Sequence, residues 1–297
     1  MTPEPLITWP DPLFELLGFL AVFLAAGAIG FRYFARRGVL TAGVSEGGEE
    51  LRFVSDATRR AALWGLAGTA IGGAQFALNL PGLAGERHLA LLALIMGDPL
   101  IALRLAFYAL ALVGFLAAAA RRGWGWPLAA MGVIASPLRA ALFGQWPRIV
   151  NPAHELAGGL WIGTLFLLVV AALVPLRRAA LAPERRGALA AGMVRAFSPF
   201  ALFSTGALFG FGVITAWRHL KRLDALWTTP YGYALIAKLC VVAVVVGLGA
   251  WNWRRQVPGL GSPATALELE RTARVELIVA FVVLMVTAIL VSLPSPR

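Results

Sequence analysis

Charge is what this 297-residue chain most lacks: Asp, Glu, Lys and Arg make up 14% of it. A soluble protein keeps roughly a quarter of its residues charged, because its surface must be wetted. With 59% hydrophobic residues and a mean hydropathy of +0.77, the shortfall excludes an ordinary soluble fold. Cysteine is nearly absent as well. The single Cys240 lies inside an apolar run, which excludes an internal disulfide and a cysteine-based metal cluster. Histidine occurs three times, and Lys221 and Lys238 are the only lysines. There is no Walker motif, so direct use of ATP is not expected. The short alternating strands of a membrane barrel are missing too. The N-terminal flank carries Glu4, Asp11 and Glu15 but no basic residue, so the first apolar run is expected to stay as a span rather than be removed as a signal peptide.

What is present is a series of apolar runs. A bilayer core about 30 Å thick takes about 20 apolar residues of helix to cross, and lipid obliges a spanning segment to satisfy its own backbone. The pattern predicts an all-α, polytopic membrane helix bundle of about eight spans: Leu13–Phe34, Ala61–Leu80, Ile101–Ala120, Trp126–Phe143, Pro152–Leu176, Pro199–Arg218, Pro230–Trp253 and Val275–Leu293. Asn151-Pro152, Ser198-Pro199 and Thr229-Pro230 each place a capping side chain before a proline, the signature of a helix start. His88–Asp98 is apolar but too short to cross alone and reads as a re-entrant or interfacial segment. The spans divide into two four-helix halves, 1–150 and 151–297.

Orientation is read from the arginines. Arg36-Arg37, Arg59-Arg60, Arg121-Arg122, Arg177-Arg178, Arg185-Arg186 and Arg254-Arg255 all fall in alternate loops, while the opposite loops are poor in basic residues. The Arg-rich side is cytoplasmic by the positive-inside rule, which puts both termini in the periplasm of a bacterial inner (plasma) membrane. The net charge of +11 is thus a topology signal, and no nucleic-acid partner is expected. Trp124, Trp126, Trp146, Trp227, Trp251 and Trp253 at span ends fit interfacial belts against membrane lipid. His88, His154 and His219 all fall on the periplasmic side, with Met96, Asp98, Glu155 and Asp224.

Ionisable residues at membrane depth cost a few kcal/mol each, so each invites a reason. Lys238 lies eight residues into its span, about 12 Å along the helix. It either meets a partner in a polar cavity or snorkels to the interface. Arg139 follows Ser136-Pro137, where the proline frees a carbonyl and can open a cavity; Glu155 and Asp98 are its expected partners. Arg104, close to its span end, reads as snorkelling. Glu276 reads as half of a structural salt bridge with Arg254 or Arg255. Gly68-x-x-x-Gly72, Gly159-x-x-x-Gly163 and Gly206-x-x-x-Gly210 signal close helix packing.

The stretch His154-Glu-Leu-Ala-Gly-Gly-Leu-Trp161-Ile-Gly163 is the most informative. On a helix His154, Gly158 and Trp161 share a face, and a histidine near the water boundary can offer a ring nitrogen to copper, zinc or iron. A lone histidine is more often a hydrogen-bonding interface residue. No HxxxH, Met-x-x-x-Met or Cys-x-x-Cys pattern accompanies it.

The C-terminal half resembles the CopD copper-resistance family. The residues that carry the likeness are the His154–Gly163 stretch, Phe197-Ser198-Pro199, Thr215-Ala-Trp217-Arg218-His219-Leu220, Leu226-Trp227-Thr-Thr-Pro230-Tyr231-Gly232, Leu235-Ile-Ala-Lys238-Leu239, Gly249-Ala-Trp-Asn252-Trp and Glu276. The resemblance implies an eight-span protein, not an enzyme, that carries copper across the inner membrane in copper import or resistance. It also implies a periplasmic copper carrier of the CopC kind as partner, although no CopC-like domain is fused here. Carried onto this chain, it singles out His154, Trp161, His219, Lys238 and Glu276. In the expected arrangement His154 and His219 form a periplasmic-side metal site completed by His88 or Met96, with Glu155 beside it. Lys238 and Arg139 would set the polarity of an adjoining cavity. The alternative is a membrane redox protein holding haem b, with His154 as axial ligand and Lys238 near a propionate.

Overall fold

The computed structural model describes residues 9–41, 48–256 and 263–293, without the side chains of 39–41, 252, 253, 255, 256 and 263–270. Glu4 and Arg297 therefore lie outside the described residues, as do the side chains of Asn252, Trp253 and Arg255. Among the described residues the chain is helical throughout, with no strand. The helices are α1 (Asp11–Thr41), α2 (Glu49–Glu86), the seven-residue α3 (Leu91–Gly97), α4 (Pro99–Ala119) and α5 (Gly125–Leu138). Then come α6 (Val150–Gly158), α7 (Thr164–Leu167), α8 (Val174–Leu176), α9 (Pro183–Leu220), α10 (Ala225–Thr228), α11 (Pro230–Gln256) and α12 (Pro263–Ser292). Among the described residues eight stretches are long and apolar enough to cross a membrane, α6 to α8 together forming the fifth. This is a multi-pass membrane protein.

Helix α1 is the hub, packing on α2, α5, the fifth span, α9 and α12. Small side chains make that possible. Ala26 and Ala28 are wholly buried, and a Cβ on Gly68 of α2 would stand 2.6 Å from the Ala21 carbonyl oxygen. A Cβ on Gly163 would overlap the Phe23 carbonyl, with Gly27 facing it. Two of the three small-residue motifs thus bring backbones together, as lipid-embedded helices require. The third does not: Gly206 and Gly210 have no described atom within 4 Å of where a Cβ would sit. Periodicity shows that a face is flat, not that a neighbour occupies it.

The fifth span is wound irregularly, with π-helical turns at Gly159–Gly163 and Leu168–Leu173. Below the second, Pro175 has no N–H to offer the Ala171 carbonyl four residues back. The Arg60 guanidinium of α2 donates to that oxygen at 2.9 Å instead. An arginine that marks topology in the sequence therefore also repairs a proline gap.

Several local expectations are corrected. Ser198-Pro199 does not start a helix: Pro199 lies inside α9, which begins at Pro183, and the Ser198 hydroxyl donates back to the Val194 carbonyl at 3.0 Å. Asn151 does not cap its own helix, which begins at Val150; its Oδ1 accepts from the Thr215 hydroxyl at 2.9 Å. Thr229 does cap, its Oγ1 accepting from the Gly232 amide at 3.0 Å. Trp126 is buried rather than interfacial, edge-on to Phe115 with the Arg32 guanidinium over its ring, whereas Trp124, Trp146, Trp227 and Trp251 are exposed.

His88–Asp98, too short to cross, folds as the turn ending α2 followed by α3. Asp98 then caps α4, accepting from the Leu100 and Ile101 amides at 3.0 and 3.4 Å and from Arg87 at 3.1 Å. Partial burial raises its pKa, but the Arg87 hydrogen bond and the two amides outweigh that and hold it below the usual carboxylate range. The cap's stabilisation is therefore complete above the ordinary aspartate value and is lost as pH falls through the depressed one. Asp98→Ala is expected to cost about 1 kcal/mol at neutral pH and less once the carboxyl is protonated, because the neutral carboxyl accepts from the amides more weakly and no longer pairs with Arg87, which thermal melting against pH would show.

Candidate functional site

His154 sits in the second turn of α6, against α9. Its Nδ1 lies 2.9 Å from the Leu208 carbonyl oxygen. A carbonyl only accepts, so Nδ1 carries the proton and the neutral ring keeps its lone pair on Nε2. The seat is made by Gly212, where a Cβ would stand 3.0 Å from His154 Cε1. Two further bonds hold the antiparallel register: the Thr215 hydroxyl to Asn151, and the Arg218 guanidinium to the Pro147 carbonyl.

His219 is arranged alike in one respect. Its Nδ1 faces the Thr215 carbonyl at 2.8 Å, which again leaves Nε2 with the lone pair. Its ring stacks on Tyr231 at 5.9 Å and 13°. The two histidines share an end of the bundle, but Gly212 and His219 are about 10 Å apart along α9 at 1.5 Å per residue. Lys238 lies about 10 Å below Tyr231 on α11 by the same rise, at the depth of His154. It is half-buried and within electrostatic reach of both His154 and Glu155, without an ion pair to either among the described residues.

The structure thus gathers His154, Glu155 and Lys238 at one depth and sets the other expected residues apart. His88 and Met96 are exposed on the α2–α4 connection. Trp161 packs against the main core from within the first π turn. Glu276 is buried on α12, about 21 Å along the helix from Leu290, which packs beside Leu220 and Tyr231 at the histidine end. Arg139 does not pair with Glu155 or Asp98. Its Nε and Nη1 donate to the carbonyls of Leu100 and Ser136 at 2.9 and 2.7 Å. Arg104 does not simply snorkel: its guanidinium lies 4.2 Å from the Phe76 ring centroid, on the wall of a cavity that Glu155 also lines. Among the described residues no three His, Cys, Asp or Glu side chains group to hold a metal ion.

Sequence reasoning missed Gly212 and the Leu208 carbonyl. Nothing in the sequence announces them, because which helix faces His154 depends on the lateral order of the spans.

Residues 191–290 match the family model described as copper resistance protein D. The C-terminal third of the chain is CopD-like. That match covers most of α9 with the seat of His154, then His219, Lys238 and Glu276, and it bears out the resemblance read from the sequence over that stretch; His154 itself precedes it. The chain is also 29% identical over 143 residues to copper transport protein CutJ of Bacillus subtilis (strain 168). The aligned part is 48% of this chain and 24% of that protein, so the chain spans about a quarter of the relative's length. No solved structure matches.

Proposed function

We propose that this protein carries copper across the plasma membrane, in copper import or resistance, moving the ion as cargo without chemically transforming it. One observation supports the reading above the others. His154 and His219 both give Nδ1–H to a backbone carbonyl and keep the Nε2 lone pair, the hydrogen bonding that orients metal-ligating imidazoles. Because they are separated along α9, they act in sequence rather than as one chelating pair, His219 nearer the rim and His154 deeper. Exposed His88 and Met96 offer a first, weak contact. A periplasmic carrier of the CopC kind delivers the ion to this rim.

The test is copper accumulation in cells expressing wild type, His154→Ala or His219→Ala at equal membrane levels. The expected result is that His154→Ala falls to the level of cells without the protein and His219→Ala falls several-fold. Equal accumulation in all three would end the assignment of both residues.

A further inference from the structure

A cavity of about 380 Å³ opens between α1, α2, α4, α5 and α6, at the end of the bundle that holds the histidines. All but its α6 wall belongs to the N-terminal half, and the whole lining precedes the CopD-like match. It has two levels. Around its outer part stand Glu15, Glu155, Arg104 and Arg139, with Tyr108 between. Its floor is small and apolar, made by Ala25, Gly68, Ala111 and Gly132. From Glu15 to Ala25 the floor lies about 15 Å further along α1.

The four charges balance, yet they are not paired with one another. None of them makes an ion pair among the described residues, and Glu15, Glu155 and Arg104 make no hydrogen bond there either. Arg139 is pinned by two carbonyls, and Arg104 rests on Phe76 with its donors unused. Glu155 lies within electrostatic reach of Glu15, Arg104 and Lys238, and Arg139 of Arg104 and Asp98. Two carboxyls and two guanidiniums left without ion pairs over an apolar floor are complementary to a molecule with two oppositely charged groups and an apolar body. Arginine suits planar or tetrahedral oxyanions, and the carboxylates suit an ammonium.

We propose that this cavity is a binding site for a small amphiphile whose head is an ammonium–oxyanion zwitterion. The oxyanion meets Arg104 and Arg139, the ammonium meets Glu15 and Glu155, and the apolar part fills the floor. The same chemistry is offered by a free apolar amino acid and by an ethanolamine phospholipid. The site does not depend on copper, so it is tested without metal.

The full chain, purified in detergent and delipidated, is titrated with L-leucine and with dioleoylphosphatidylethanolamine, read by native mass spectrometry and thermal melting. The first probe has single-charge controls, leucinamide and 4-methylpentanoate; the control for the second is phosphatidylcholine, which keeps both charges but has no N–H to donate. One zwitterion is expected to bind at one per chain, and which one binds identifies the source. Its controls should bind about tenfold more weakly, as should Arg104→Gln and Glu155→Gln, each losing a charge-assisted hydrogen bond. Gly72→Val keeps every charge and narrows the cavity; the nearest atoms to its Cβ stand at 3.4 Å, so the protein should fold and binding should fall. Saturable binding by neither zwitterion, equal binding of the controls, or binding by Gly72→Val equal to wild type would each overturn the proposal.

Discussion

Gly163→Leu should be the most damaging single substitution in the bundle, costing at least about 3 kcal/mol, the upper part of the usual range for overpacking. A Cβ there would overlap the Phe23 carbonyl, and the obstacle is backbone, which cannot rotate away as a side chain can. Gly27 stands opposite on α1, so neither helix has a flexible group to yield. The central helix would have to move off the fifth span, and with it the contacts to α2, α9 and α12. Gly206→Leu is the control. The same residue type in the same small-residue spacing has no described atom within 4 Å of its Cβ position, so the change should stay within about 0.5 kcal/mol. Melting temperature and membrane yield of the two variants decide the matter. If they melt alike, the close approach of α1 to the fifth span is not what holds the bundle.

Arg185→Met should cost about 2 kcal/mol, through what it leaves behind rather than what it removes. Glu50, in the first turn of α2, is 7% exposed. Its Oε1 accepts from Arg185 of α9 at 3.1 Å, and its Oε2 has no partner. Removing the guanidinium strands a carboxylate between two helices. Breaking a fully buried pair costs about 3–5 kcal/mol; here Arg185 is itself largely exposed, so water moderates the loss. Glu50→Gln added to Arg185→Met should restore much of the stability, since an amide carries no charge to strand. A double-mutant cycle on melting free energies would measure the coupling, and additive effects would show that the pair contributes nothing as a pair.

The spans were legible in the sequence because a bilayer imposes a length and a composition that no other solvent does. Span ends were less so. Pro199 looked like a helix start because proline is common there, but α9 runs through it from Pro183; in a packed bundle one missing N–H costs less than ending a long helix. Position along the spans points Arg139 to a carboxylate partner and Arg104 to the interface. One is held by carbonyls and the other by an aromatic ring, and neither partner type is visible from residue spacing.

The candidate site was half legible. His154, His219 and Lys238 stood out as residues out of place among apolar neighbours, and their placement at one end of the bundle followed from counting spans. Their separation along α9 did not, nor did the glycine that seats His154, because both depend on which helix packs against which and in what register.

By itself, then, the sequence determined that this chain crosses a membrane eight times as helices and which residues share an end, since hydropathy and helix rise are one-dimensional properties. The tertiary structure alone decided which small-residue faces are covered, which imidazole nitrogen is left free, and that four unpaired charges ring one cavity. Those facts are set by contacts between residues distant in sequence, and no periodicity along the chain encodes the lateral neighbour of a helix.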